Sequence, residues 1–310
     1  MVSICLNMIV KNESKIIERM LKSVIDIIDY FVIIDTGSED NTLEIIYNFF
    51  KNYHHVKGVL IKNIFIDFST NRNRALKYCQ GLGDYILLLD ADHLLEFKLD
   101  KNTLKEDAYS LVQENDNYSC QNIRLIKNDN SFIYKGYTHE VLKPVKERNL
   151  VFLDKDLVKV IDVGDGGCKR EKISRDIKLL KKEIKENPED PRAYFYLANT
   201  YFSIKEYSLA TNLYQKRIDL KGWSEEVYFC FLRLGIINLV LKDFKRAIYY
   251  LLEAYENSPK RCENLFYLRE IYRLEKRTNL IKLVDGIIQN NLQYPKDSFL
   301  FHNKSIYRKL

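Results

Sequence analysis

The chain has 310 residues with 49 Lys and Arg against 43 Asp and Glu, a net charge of +6, 46% hydrophobic residues, 11 Gly and 5 Pro. This length suits two domains of roughly 100–200 residues each, and the composition excludes disorder and low complexity. So small a net charge supports neither a nucleic-acid binder nor a membrane-surface protein.

No apolar run reaches the roughly 20 residues of a spanning helix, because Asp26, Asp29, Asp35 and Asp90 interrupt the richest stretches. The first residues, MVSICLNMIVKNE, lack the basic, apolar and small-residue order of a signal peptide, so a soluble, cytoplasmic protein is expected. Six cysteines, Cys5, Cys79, Cys120, Cys168, Cys230 and Cys262, lie far apart without a CxxC pair. That pattern suits reduced, buried thiols.

In chain order, the hydrophobic period changes repeatedly. Val2 to Val10 predicts a buried strand, and Ser14 to Ile27 a helix with Ile16, Ile17, Met20, Leu21 and Val24 at helical spacing. Tyr30 to Ile34 predicts a second strand, stopped by Gly37 and Ser38 before a helix over Asn41 to Lys51. Val56 to Ile61 and Tyr85 to Leu89 predict strands flanking a helix over Ser69 to Tyr78. Such alternation implies a mostly parallel sheet covered on both faces, with ligands bound beyond the carboxyl ends of its strands. Strand-like pieces follow at Ser119 to Ile126, Phe132 to Tyr134 and Leu157 to Val163, and the turn cluster Gly164, Asp165, Gly166, Gly167 marks the boundary between domains at 1–165 and 166–310.

From Glu171 onward the period is helical. Tyr194, Leu197, Ala198, Tyr201, Ala210 and Tyr214 fall at the large, Leu, small, aromatic, Ala and aromatic positions of a tetratricopeptide repeat. Phe231, Leu234, Gly235, Ala247, Leu251, Ala254 and Pro259 repeat that register. A weaker unit at Leu265, Leu268 and Tyr272 is expected to cap the array.

Chemistry gathers at strand ends. Asp35 closes the second strand, and Asp90 and Asp92 close the fourth in YILLLDADH. Carboxylates at alternate residues past a buried strand can offer oxygen to Mg²⁺ or Mn²⁺, whose remaining positions suit a diphosphate. Asp-x-Asp also matches ordinary solvated turns.

The runs LNMIVKNE (Leu6 to Glu13), IIDTGSEDNT (Ile33 to Thr42), DFSTNRNRAL (Asp67 to Leu76) and LLLDADH (Leu87 to His93) resemble, in order and spacing, family 2 glycosyltransferases. The resemblance spans the whole chain and points to the subgroup in which the catalytic domain precedes tetratricopeptide repeats. It implies an α/β GT-A fold, Rossmann-like with a mostly parallel sheet, followed by an all-α tetratricopeptide-like domain. It implies an inverting, metal-dependent transfer from a UDP-sugar, UDP-glucose or UDP-N-acetylglucosamine, to a glycan or protein acceptor. Asn12 and Glu13 would lie at the nucleotide pocket, Asp35 would bind uracil or ribose, and Arg72 and Asn73 would steady the diphosphate. Asp90 would face ribose and metal, and Asp92 would bind Mn²⁺ or Mg²⁺. The run GYTHE resembles the family's acceptor side, making Glu140 the expected base and His139 a third metal ligand or diphosphate contact. Glu39 before Asp40, and Asn71 where Ala is common, depart from the family pattern.

His54, His55, His93 and His302 have no partner spacing and read as structural or solvated. Two alternatives differ in class. A nucleotidyltransferase would carry a Gly-rich loop after the first strand, which LNMIVKNE lacks. A partner-binding module would keep the repeats beside a catalytically weak domain, and a homodimer or a protein partner could use those helices. Residues 1–165 carry 21 basic and 25 acidic side chains and residues 166–310 carry 28 and 18, so the second half could steer an anionic partner.

Overall fold

The computed structural model describes residues 1–116, 119–166 and 172–290. Gly167, Cys168, Glu171 and His302, named above, lie outside the described residues. Contacts divide the chain into two compact units, Met1–Arg175 and Asp176–Leu310.

The first unit alternates as expected through β1 (Ile4–Val10), α1 (Ile17–Val24), β2 (Tyr30–Asp35), α2 (Thr42–Lys51), β3 (Lys57–Lys62), α3 (Phe68–Tyr78) and β4 (Tyr85–Leu88). Successive strand residues face opposite ways, so Ile4, Leu6 and Met8 of β1 join the core under α1 and α2, while Cys5 joins the one under α3. Ile17, Met20, Leu21 and Val24 supply the buried stripe of α1. Asp67 caps α3, accepting the Thr70 amide at 2.7 Å, which fixes where that helix starts and which way Arg72 leaves it.

Strands β3, β2, β1 and β4 pair in parallel. The sheet then continues through β5 (His93–Phe97), β6 (Ala108–Glu114) and β7 (Ser119–Lys127), and through β10 (Leu150–Phe152) and β11 (Val158–Asp162), in the order β3-β2-β1-β4-β7-β6-β11-β5 with β10 beside β6. β7 runs antiparallel to β4 and β6, and β11 antiparallel to β5, so the sheet is mixed, with parallel pairings still in the majority. A separate hairpin joins β8 (Phe132–Lys135) to β9 (Val141–Pro144).

The described residues from 172 onward are helical: α4 (Lys172–Glu186), α5 (Pro191–Ser203), α6 (Tyr207–Asp219), α7 (Ser224–Val240), α8 (Phe244–Asn257), α9 (Glu263–Leu274) and α10 (Thr278–Asn290). α5 packs on α6, α7 on α8 and α9 on α10, with Ala198, Ala210 and Ala247 fully buried between helices. Asp190 caps α5 with Pro191 in its first turn. Buried Arg217 pairs with Glu226 at 2.9 Å, and buried Arg261 with Glu263 at 2.7 Å and Glu225 at 2.6 Å, so each buried guanidinium meets carboxylate. Among the described residues no helix is long and apolar enough to cross a membrane.

Candidate active site

The ends of β1 and β2 are knitted together by side chains. Asn12, with φ 57°, donates its amide to Ser38 Oγ at 2.9 Å, and its Oδ1 accepts from the Glu39 amide at 2.8 Å. The Glu13 amide donates to Thr42 Oγ1 at 2.8 Å. Burial would raise the Asp40 carboxyl, but hydrogen bonds from Thr42 and Ser14 outweigh it and hold the group low. Asp35 is 2% exposed and accepts the Gly37 amide at 3.2 Å and the Ser38 amide at 3.1 Å. It holds the turn in which Gly37, at φ 107°, carries Ser38 across to Asn12.

Arg72 is the hub. Its terminal nitrogen donates to Asp90 Oδ1 at 2.6 Å, its Nε to Glu140 Oε1 at 2.5 Å, and the guanidinium lies 5.5 Å from the centre of the Tyr134 ring. Burial would raise the Asp90 carboxyl, yet Arg72, His93 and Arg124 hold it far below the usual carboxylate range, and Arg72 stays charged. Asn73 exchanges two hydrogen bonds with the Tyr134 backbone, at 2.9 and 2.8 Å, fixing β8 against α3. The hairpin so anchored carries Glu140, just before β9, to Arg72. His139, at φ 51°, precedes it. A cleft of about 330 Å³ lined by Leu76, Lys77, Ile86, Ile126 and Phe132 takes in Asn73 alone of these candidates.

Beside the hub, ligand-type atoms of Asp92, His93 and Asp162 lie within 4.8 Å of one another. Asp90 and His139 are not in that cluster. The pairing of β11 with β5 sets Asp162 opposite His93. His93 is 3% exposed, and its Nδ1 accepts the Asp90 amide at 3.1 Å. Burial first, then Arg124, lowers it to about 4, so the ring is neutral near pH 7. Asp92 is pushed the other way: burial and then the charges of Asp90 and Asp162 raise its carboxyl, against hydrogen bonds from its own amide and that of Gly166. A hard cation between Asp92 and Asp162 would relieve that repulsion, and oxygen donors suit Mg²⁺ or Mn²⁺, so the residues present fit such an ion. Gly166 closes over the cluster, since a Cβ there would stand 3.2 Å from Asp92 Oδ2, and a bidentate bridge from Arg19 to Asp165, at 2.9 and 2.8 Å, anchors the segment.

The structure thus brings Arg72, Asp90 and Glu140 into direct contact, sets Asp92 beside Asp90, and places Asn12 with the β2–α2 loop. Asp162, Gln113 and Arg124 complete the site without having stood out in the sequence, and His93, expected there to be structural or solvated, is buried against the Asp92 and Asp162 carboxylates. Asp162 carried one legible signal, a carboxylate ending a strand just before a glycine turn. Its pairing with His93 is a contact across 69 residues that no local pattern encodes.

The strand order and the carboxylates gathered past β4 are those of a GT-A glycosyltransferase, and the paired helices of the second unit form a tetratricopeptide-like region. Residues 5–174, more than half of the chain, match the family model described as Glycosyl transferase family 2, and the chain belongs to that family. It is 24% identical over 328 residues to the SPbeta prophage-derived glycosyltransferase SunS of Bacillus subtilis (strain 168), covering 99% of this chain and 75% of that protein. A poly-beta-1,6-N-acetyl-D-glucosamine synthase of Staphylococcus epidermidis is 37% identical over 93 residues, 27% of this chain and 20% of the synthase. The crystal structure of MamA covers 39% of this chain and 67% of its own, at 18% identity and a TM-score of 0.33.

Proposed function

We propose that this glycosyltransferase moves a sugar from a UDP-sugar to a glycan or protein acceptor, with inversion and with Mn²⁺ or Mg²⁺ as cofactor. The observation that carries the reading is the raised Asp92 carboxyl beside Asp162, a pair of carboxylates whose repulsion a divalent cation would relieve. Asp92 and Asp162 would hold the ion, which supplies positive charge against the diphosphate. Asp90, already neutralised by Arg72 and Arg124, is left to face the ribose. Asn12, Glu13 and Asp35 would line the nucleotide pocket, and Asn73 would serve it through the hairpin it anchors. His139 would contact the diphosphate.

Glu140 would be the base. Its Oε1 accepts from Arg72, so the acceptor proton goes to Oε2 as the acceptor atom bonds to the anomeric carbon and the bond from that carbon to the phosphate oxygen breaks. UDP-glucose and UDP-N-acetylglucosamine are the preferred donors, the second in keeping with the sugar named for the staphylococcal synthase. Residues 1–165 would form the transferase domain, and the helices from 166 onward would offer a surface to the acceptor, a partner protein or a second copy. A cytoplasmic, soluble protein is part of the same reading.

The test measures UDP release from a panel of UDP-sugars with and without Mn²⁺. Cation-dependent release that Asp92→Asn abolishes is expected. Release at the same rate without a divalent cation would remove the metal from the mechanism. No release from any UDP-sugar, with tight binding of a protein partner, would favour a partner-binding module.

A further inference from the structure

Beneath the cluster lies a buried amide whose orientation is decided by its neighbours. Gln113, on β6, is 6% exposed. Its Oε1 accepts from Asn122 Nδ2 at 2.9 Å and from a terminal nitrogen of Arg124 at 2.6 Å, both on β7. Two donors on one atom identify it as the carbonyl oxygen, so the amide cannot be turned over without facing N–H groups toward N–H groups. The NH₂ group must then point the other way, and it donates to Asp162 Oδ2 at 2.8 Å.

The same logic fixes the imidazole beside it. The Asp90 amide donates to His93 Nδ1, so the neutral ring carries its proton on Nε2. That nitrogen lies 3.3 Å from Gln113 Nε2 and 3.8 Å from Asp90 Oδ2. Two neighbouring N–H donors cannot serve each other. With Nδ1 accepting, His93 Nε2 keeps its proton and does not offer a lone pair to a metal, and at 3.8 Å from Asp90 Oδ2 it is too far away for a hydrogen bond to that carboxylate.

We propose that Gln113, with its amide oriented by Asn122 and Arg124, is a positioning residue that holds Asp162 turned toward Asp92 and so sets the affinity of the site for a divalent cation. The inference rests on the cation reading above and adds to it which carboxylate completes the site and what aims it. Residues behind metal ligands commonly change affinity by about 10- to 100-fold.

The experiment titrates Mn²⁺ into the full-length protein, alone and with UDP, and follows free Mn²⁺ by electron paramagnetic resonance. Gln113→Met is expected to weaken the dissociation constant by about tenfold or more while the number of sites stays near one per chain. A merely structural role would instead lower the fraction of molecules that bind, at an unchanged dissociation constant, and that result overturns the proposal. Asp162→Asn keeps the shape of the side chain and is expected to abolish binding as Asp92→Asn does. Binding by Asp162→Asn equal to wild type overturns the proposal whether or not Gln113→Met folds. Absence of saturable Mn²⁺ binding in the wild type overturns the cation reading and this inference with it, whereas loss in Asp92→Asn alone overturns this inference only.

Discussion

At the level of single residues the site is built from charges pulled in opposite directions. Asp90 is held low by cations, whereas Asp92, two residues on, is raised by burial and by its carboxylate neighbours. A carboxyl raised in the folded state opposes folding once it is ionised. Asp92→Asn is therefore expected to melt no lower than wild type, and by about 2 °C higher, while transfer falls at least about a hundredfold. Thermal denaturation beside UDP release checks both parts, and a variant that lost activity by unfolding would melt lower. His93 provides a pH signature. Its pKa falls from 6.5 to about 4 on folding, so its contribution is complete above pH 6.5 and is lost as pH falls toward 4. Across that window the unfolding free energy should drop with a slope approaching about 1.4 kcal/mol per pH unit from this residue, and His93→Gln should remove that part of the slope. Denaturant titrations at pH 4 to 7 measure it. Glu140→Gln leaves Arg72 an acceptor but no base, so kcat should fall about 10²- to 10⁴-fold with UDP affinity unchanged. Near-normal turnover would move the base to another carboxylate.

At the level of elements, legibility followed the range of the interactions. β1, β2 and β4 and the helices around them are written in local periodicity, because each buries a stripe or both faces within one run of sequence, whereas β3, with no fully buried residue, is legible only from its short apolar run Val59 to Ile61. β5, β6, β9 and β10 were missed. β6 reads AYSLVQE, in which Gln113 and Ser110 are buried by partners from β7 rather than by apolar character, so no period survives. β10 is three exposed residues defined only by pairing to β6. The site divides the same way: Asp35, Arg72, Asp90 and Asp92 lie in motifs, while Asp162 and Gln113 enter through β-sheet register. Among the helices, small residues at repeat positions were legible because close approach demands them. Gly235 in α7 is the sharpest case, since a Cβ there would stand 2.6 Å from both Leu251 Cγ and Cδ2 of α8. Gly235→Ala should gain about 1 kcal/mol in helix propensity but lose about 1–3 kcal/mol to overpacking, for a net loss of up to about 2 kcal/mol. Adding Leu251→Ala relieves the clash, so the double variant should be more stable than the sum of the single changes. Strict additivity in the denaturant midpoints would mean that the two helices do not meet at this pair.

At the level of the whole molecule, the compact units redraw the charge. Divided at residue 175, where the contacts part, the first unit carries 25 basic and 26 acidic residues and the second 24 and 17, net −1 and +7. The acidic character read for the first half therefore comes close to neutrality, because four basic residues between 166 and 175 belong with it. On the proposed reading, gathering a cation would then depend on local placement of Asp92 and Asp162, not on a field from the whole unit. The positive excess of the helical unit survives the new boundary, and it is the long-range feature left to act on an incoming anion. Attraction of this kind is screened over about 10 Å at 0.1 M salt and about 3 Å at 1 M. If the helices draw in an anionic acceptor, kcat/KM for the acceptor should fall steeply as salt rises through this range, chiefly through slower association. If the donor is held by the first unit, as proposed above, its KM at saturating acceptor should change far less. Measuring both constants across one salt series separates the two effects, because general destabilisation by salt would move them together. An acceptor constant flat in salt would assign the helices a role in packing or in contacts between uncharged surfaces.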